Sequence, residues 1–190
     1  MLAASGSRLR SLDADTWRFE VKLDGWRAVV TVDDAAVTVR TRRGRDITRS
    51  VPELTENLPT GLRGHDVVLD GELVAGGGTG SDFYRLGPRL ASRDHSRCQV
   101  TFVAFDVLWL DGADTCRQPY AKRRQLLESL KIDRGCWRTA DSFSGDPLDI
   151  EGVVAKRVDS VYRPGARSAD WIKVKTPSWR ERHAPRRHEH

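Results

Sequence analysis

The chain has 190 residues, 38% of them hydrophobic and 31% charged, with a formal net charge of +5. That balance describes a soluble globular protein with room for one good core and excludes a disordered chain. The longest apolar run, residues 100–110, contains polar residues and is too short to span a bilayer.

Residues 17–23 alternate as a strand, with Phe19, Val21 and Leu23 on one face and Glu20, Lys22 and Asp24 on the other. Residues 27–32 and 36–42 read as two further strands joined by an Asp33-Asp34 turn, which predicts a meander of antiparallel hairpins. Residues 51–58 are a short helix candidate, with Ser50 as its cap and Pro52 in its first turn. Residues 67–75 form a strand that ends at Gly76-Gly77-Gly78. That run lacks the Lys-Ser/Thr of a P-loop and reads as a hairpin loop.

Residues 82–91 are weakly helical, with Phe83, Leu86 and Leu90 on one side. Residues 100–110 are a strongly apolar strand closed by Asp111-Gly112. Residues 121–131 give the clearest helix, with Leu126, Leu127 and Leu130 inside and basic residues outside. Residues 152–158 and 171–174 are the last two strands, and from residue 176 Pro, Arg and His prevail, as in a mobile tail.

Three widely spaced cysteines, Cys98, Cys116 and Cys136, form no C-x-x-C pair, so neither a zinc site nor a disulfide framework is expected. The N-terminus leads quickly into charged sequence without a secretory signal. A cytoplasmic location and no membrane partner are therefore expected. The basic balance favours a polyanionic partner, although part of the excess lies in residues 180–190.

Within this outline the stretch from Glu20 to Arg27 carries chemistry. It sets Lys22 in an extended segment two residues before Asp24-Gly25, with Arg27 close behind. Such a pattern is either an amphipathic strand running into a tight Asp-Gly turn or a nucleophilic lysine that attacks phosphorus.

Five stretches in order decide between these. They are Lys22-Leu23-Asp24-Gly25-Trp26-Arg27, Thr41-Arg42-Arg43-Gly44, Leu69-Asp70-Gly71-Glu72-Leu73, Phe102-Val103-Ala104-Phe105-Asp106, and Glu151-Gly152-Val153-Val154-Ala155-Lys156-Arg157 with Trp171-Ile172-Lys173-Val174-Lys175. The ordered set resembles the nucleotidyltransferase motifs of ATP-dependent DNA ligases, particularly bacterial end-joining ligases, from residue 1 to about residue 175.

The resemblance implies an α+β nucleotidyltransferase core of the kind shared by DNA ligases and mRNA-capping enzymes. This core is ATP-grasp-like, mainly antiparallel sheets with flanking helices and the nucleotide in a cleft. It implies that Lys22 attacks the α-phosphate of ATP and holds AMP as a phosphoramidate. An ordinary lysine, with a pKa of about 10.4, is protonated at neutral pH and needs nearby cations such as bound Mg²⁺ to become a nucleophile.

Glu72 and Glu151 each stand beside a glycine that leaves room for a ligand. They are the candidate Mg²⁺ ligands, with Mn²⁺ as a substitute; surface salt bridges are the alternative. Lys173 and Lys175, two apart on a strand, share a face and suit the triphosphate, as they would a solvated strand face. By resemblance Arg27 and Arg42 contact sugar and phosphate, Phe105 stacks on adenine, with ordinary core packing as its alternative, and Glu20 reads the adenine edge, through its side chain or its backbone. Asp24 and Asp70 support turns or orient Lys22.

Two features depart from the family pattern. Only residues 176–190 follow the last lysine motif, too few for the OB-fold domain that usually clamps DNA. Before Glu151 the chain offers Phe143-Ser144-Gly145-Asp146-Pro147-Leu148-Asp149-Ile150 where relatives carry a helix.

The expected domains are thus an adenylation domain over 1–175 and a basic tail over 176–190, with no OB-fold. The expected function is that of an ATP-dependent DNA ligase core sealing nicked or broken double-stranded DNA, with a separate protein supplying the clamp. The alternative is a non-catalytic or partner-dependent DNA-end-binding module. A GTP-using capping enzyme and an RNA ligase share the lysine logic, but Val-Val-Ala-Lys-Arg and Trp-Ile-Lys-Val-Lys favour DNA ligase. An NAD-dependent ligase is disfavoured because its four-cysteine zinc module cannot be supplied.

Overall fold

Runs of apolar side chains, alternating or continuous, make strands the main regular element of this protein. The computed structural model describes residues 1–5, 12–13, 15–76, 83–91, 98–144 and 152–175. In chain order the first elements are β1 (Leu2–Ser5), β2 (Trp17–Val21), β3 (Trp26–Asp33), β4 (Ala36–Thr41), α1 (Pro52–Glu56), β5 (Val67–Ala75) and α2 (Phe83–Ala91). There follow β6 (Val100–Leu110), β7 (Ala113–Asp114), α3 (Tyr120–Ser129), β8 (Trp137–Thr139), β9 (Ser142–Phe143), β10 (Gly152–Arg157) and β11 (Arg167–Lys175). The chain divides into two compact units, Met1–Lys22 with Asp141–His190, and Leu23–Ala140.

The second unit holds a six-stranded sheet, ordered β4-β3-β5-β6-β7, with β8 pairing β6 in parallel and the other pairs antiparallel. The β3–β4 hairpin forms as predicted, with Asp34 (φ 45°) and Ala35 (φ 63°) in its turn. Two consecutive positive φ values give the local twist that antiparallel neighbours need. One face of the sheet carries Ala28, Val30, Leu69, Leu73, Phe102, Ala104 and Val107 into the main core, which Leu54, Leu86, Leu90 and Leu127 of the helices complete.

The β5–β6 ladder is bulged twice. It pairs Val68 with Trp109, Leu69 with Val107, Asp70 with Asp106 and Gly71 with Ala104, which leaves Leu108 and Phe105 as extra residues. A bulge re-aims the side chain it carries.

The first unit holds a five-stranded sheet ordered β1-β11-β10-β2-β9, antiparallel except where β1 runs parallel to β11. Phe19, Val153, Ala155 and Val174 form its core, with Trp17, Phe143 and Ile172 packed against them. No helix among the described residues is long and apolar enough to cross a membrane.

The α+β class and the antiparallel dominance match the sequence reading, and several details differ. β2 belongs to a different sheet from β3 and β4, so the connection through Asp24-Gly25 is a crossover between sheets and not a hairpin. Ser50 does not cap α1: Val51 occupies that position without a side-chain bond, and Ser50 closes a preceding 3₁₀ turn. Not every basic residue of α3 faces outward, because Arg123 is fully buried. β1 is too short to show a period, and β11 starts at Arg167, earlier than its apolar residues indicate. The expectations for Gly77-Gly78, residues 145–151 and the 176–190 tail fall outside the described residues.

Candidate active site

In the first unit, strand alternation turns Phe19 into the core and Glu20 to the opposite face of the sheet. The ladders align Glu20 of β2 with Val154 of β10, and Val154 with Lys173 of β11. The neighbouring row is Arg18, Lys156 and Trp171.

Lys156 reaches diagonally, its Nζ 2.8 Å from a Glu20 carboxylate oxygen and 4.1 Å above the Trp171 ring centroid. Both charged side chains are buried, which is tolerated because each neutralises the other. Tyr162 packs edge-on against Trp171 at 5.8 Å.

β2 ends at Val21, so Lys22 lies just past the strand and not within it; its N–H still donates to the Gly152 carbonyl at 2.9 Å. The Lys22 stem runs over Gly152, where an added Cβ would lie 3.5 Å from the lysine Cδ and 3.1 Å from the Val174 carbonyl. Lys173 is exposed on β11. The backbone of Lys175 lies opposite Gly152, while its side chain and all of Glu151 are outside the described residues.

In the second unit, the register sets Arg27 of β3 directly opposite Glu72 of β5, with Asp70 as its diagonal neighbour. Arg27 Nε donates to Asp70 Oδ1 at 2.8 Å and Nη2 donates to Oδ2, a bidentate pair. Asp70 thus anchors an arginine in mid-strand and supports no turn. The Arg27 guanidinium also lies 4.9 Å from the centroid of the Phe105 ring. Phe105 packs against Val74, Val103 and Ala140, so it is at once a satellite of the core and the floor of a cationic face.

Arg42, one residue past β4, donates its N–H to the Arg27 carbonyl at 3.1 Å and leaves its side chain exposed. Gly25 lies against β5; a Cβ there would be 2.1 Å from the Leu73 carbonyl oxygen, which fixes glycine at this place in the lysine motif. Gly71 differs from its sequence reading. The space where its Cβ would stand is filled by the Phe102 ring, 2.4 Å away, and not left open for a ligand beside Glu72.

The predicted residues therefore fall into two sets. Arg27, Arg42, Glu72 and Phe105 belong to the six-stranded sheet and its margin, whereas Glu20, Lys22 and Lys173 belong to the five-stranded sheet. Among the described residues no group of three or more His, Cys, Asp and Glu could hold a metal ion by itself. Mg²⁺ is ordinarily held by one or two carboxylates and substrate phosphates, and Glu72 fits that smaller requirement.

Sequence reasoning gave no role to Lys156, or to Asp106 and the Arg123 that binds it. The available signal was a charged residue inside an apolar strand, which demands a partner. Beside Arg42 the chain places Arg40, Arg43, Arg45 and Arg49, all exposed. Asp46 lies among them; the Thr48 N–H bond first, then Arg40 and Arg49, hold its carboxyl below the ordinary range.

The family described as the ATP dependent DNA ligase domain matches residues 1–175. The chain belongs to that family. The multifunctional non-homologous end joining protein LigD of Mycolicibacterium smegmatis is 40% identical over 185 residues, covering 92% of this chain and 23% of that protein. The DNA ligase of Thermococcus fumicolans is 33% identical over 177 residues, covering 83% of this chain and 32% of that protein.

Among solved structures, the mycobacterial DNA ligase D complexed with ATP and MES superposes with a TM-score of 0.77 at 39% identity, covering 92% of this chain and 59% of that one. The chain thus spans under a quarter of the LigD relatives it matches. The resemblance to end-joining ligases and the nucleotidyltransferase fold are borne out.

Proposed function

We propose that this chain is the catalytic core of an ATP-dependent DNA ligase. Lys22 Nζ attacks the α-phosphorus of ATP; the new N–P bond forms as the bond to the bridging oxygen breaks. Pyrophosphate leaves with the electron pair, and the amine proton passes to solvent. AMP then moves from Lys22 to the 5′-phosphate of a nicked or broken DNA duplex, and a 3′-hydroxyl displaces it to seal the strand.

In this reading Phe105 stacks on adenine, Arg27 and Arg42 contact sugar and phosphate, and the backbone of Glu20 reads the adenine edge, its carboxylate being held by Lys156. Lys173 and Lys175 balance the triphosphate charge. Glu72 and Glu151 would hold Mg²⁺, which supplies charge neutralisation at the phosphates. Positioning and electrostatics carry most of such a phosphoryl transfer. A clamp supplied by a separate protein would raise affinity for DNA, and a cytoplasmic location goes with that substrate.

The observation that carries the reading is the placement of Lys22. It stands past the end of β2 with its stem over a glycine, in a chain whose residues 1–175 match the ligase family.

Incubation with Mg²⁺ and ATP radiolabelled at the α-phosphate tests it, with Lys22→Ala and GTP as controls. An acid-labile, alkali-stable protein label from ATP, lost in Lys22→Ala, is the expected result. An unlabelled wild type would overturn the adenylation reading in favour of a DNA-end-binding module.

A further inference from the structure

Asp106 lies buried in β6, directly opposite Asp70 of β5, which is also buried. Two buried carboxylates at paired positions of a ladder repel, and burial makes the repulsion worse. Each is met by its own arginine. Arg27 takes Asp70, while Arg123 of α3 takes Asp106, with Nε 2.7 Å from Oδ1 and Nη2 2.9 Å from Oδ2.

The Arg123–Asp106 pair has no side-chain exposure on either partner. Asp106 Oδ1 further accepts the Val107 N–H at 3.0 Å, and Arg123 Nη1 donates to the Gln118 carbonyl at 2.6 Å. Phe105, the extra residue of the bulge, immediately precedes Asp106 and lies under Arg27.

We propose that Arg123 is a positioning residue for the nucleotide: by neutralising Asp106 it keeps Arg27 on Asp70 and holds the Phe105 bulge beneath Arg27. The proposal rests on the reading above, in which Phe105 and Arg27 hold the adenosine. Without Arg123, the Asp106 charge is left buried opposite Asp70 and competes for Arg27, the guanidinium that Asp70 already holds. Phe105 and Arg27 then lose their mutual geometry while Lys22, in the other unit, keeps its own.

The test is the rate of covalent AMP labelling against ATP concentration, at a temperature where circular dichroism shows each variant folded. Arg123→Met should raise the half-saturating ATP concentration about tenfold, the worth of a displaced stacking contact, with the maximal rate within about threefold of wild type. Asp106→Asn with Arg123→Met removes the competing charge and should bring half-saturation back to within about threefold of wild type. Arg123→Lys keeps the charge without the fork and serves if the methionine variant does not fold, with a shift of about threefold.

Half-saturation unchanged within about twofold in the folded single variant overturns the proposal. So does a double variant as weak as Arg123→Met, because lost packing and not an uncovered charge would then be the cause. The Arg27 Nε–H, bonded to Asp70 at 2.8 Å, gives a readout free of ATP: by NMR it should exchange slowly with solvent in wild type and rapidly in Arg123→Met. Lost protection in a protein that takes no label at all would leave the positioning network standing and bring down only the adenylation reading.

Discussion

Lys156 and Glu20 meet diagonally across β10 and β2, with Nζ 2.8 Å from the carboxylate, and neither side chain reaches solvent. The pair lies on the face of the five-stranded sheet opposite its apolar core, with the ammonium over the Trp171 ring. A buried pair of this kind adds little beyond a well-packed apolar substitute, but half of it alone is costly.

Lys156→Met should therefore destabilise the protein by about 3 kcal/mol, whereas Glu20→Leu with Lys156→Leu should return close to wild type. Denaturant melts of the single and double variants check this. A loss below about 1 kcal/mol in Lys156→Met would mean that Glu20 finds water or another partner.

Gly71 gives a second prediction, from contact geometry alone. A methyl group there would stand 2.4 Å from Phe102 Cε2 and 2.6 Å from the Val103 carbonyl oxygen, in mid-ladder. Neither the aromatic ring, wedged edge-on against Trp137 at 5.6 Å, nor the backbone can yield cheaply. Gly71→Ala should cost about 3 kcal/mol, the upper range for overpacking a core. Thermal melts report it, and a cost under about 1 kcal/mol would show that β6 shifts at its neighbouring bulge.

These two sites show what was legible in the sequence and what was not. β5 and β6 were readable to their last residues because long apolar runs bounded by glycine leave one strand assignment. The ligase-like motifs were readable as an ordered set, since Lys22, Arg27, Glu72 and Phe105 stand at fixed places in short stretches. What period and motif cannot carry is pairing between distant segments.

Nothing local tells Lys156 that its partner is Glu20, or Arg123 that its partner is Asp106, because those contacts depend on strand order and register. The division of the strands between two sheets was hidden for the same reason. Local alternation makes β2 and β3 look like neighbours, and only the tertiary ladders send β2 to β10 and β9.

Acid stability offers a third prediction. Asp170 accepts from Arg163 at 2.8 Å and from the Ser168 hydroxyl at 2.9 Å, and the Arg163 bond first, then Ser168, hold its carboxyl below the ordinary range. A depressed folded value means that the stabilisation is present above the unfolded pKa, about 3.9, and is lost as pH falls through the folded value.

Because Arg163 is half exposed, the worth at neutral pH should be below about 1 kcal/mol. Asp170→Asn should thus melt about 1–3 °C lower than wild type at pH 7, with the gap closing below about pH 4. A gap unchanged down to pH 3 would place the effect in the Ser168 hydrogen bonds and not in the charge.

The last prediction concerns the arginines beside the ligase motifs. Arg40, Arg43, Arg45 and Arg49 are exposed around a tight turn in which the Thr41 N–H donates to the Arg45 carbonyl at 2.9 Å and the Gly44 N–H to the Thr41 carbonyl at 2.8 Å. β4 is an edge strand, so charge here discourages edge-to-edge pairing whatever else it does. If the arginines also lie along duplex phosphates, Arg43→Ala/Arg45→Ala/Arg49→Ala should flatten the dependence of log affinity on log salt by about 2 to 3.

Nicked-duplex binding titrated at several salt concentrations measures that slope, and whatever covalent AMP labelling the wild type shows should be unchanged. A lower affinity with an unchanged slope would mean that these side chains shape the edge without touching phosphate. An unchanged affinity together with new aggregation would leave them as guards of the β4 edge alone, because counterion release is the one quantity that edge protection does not move.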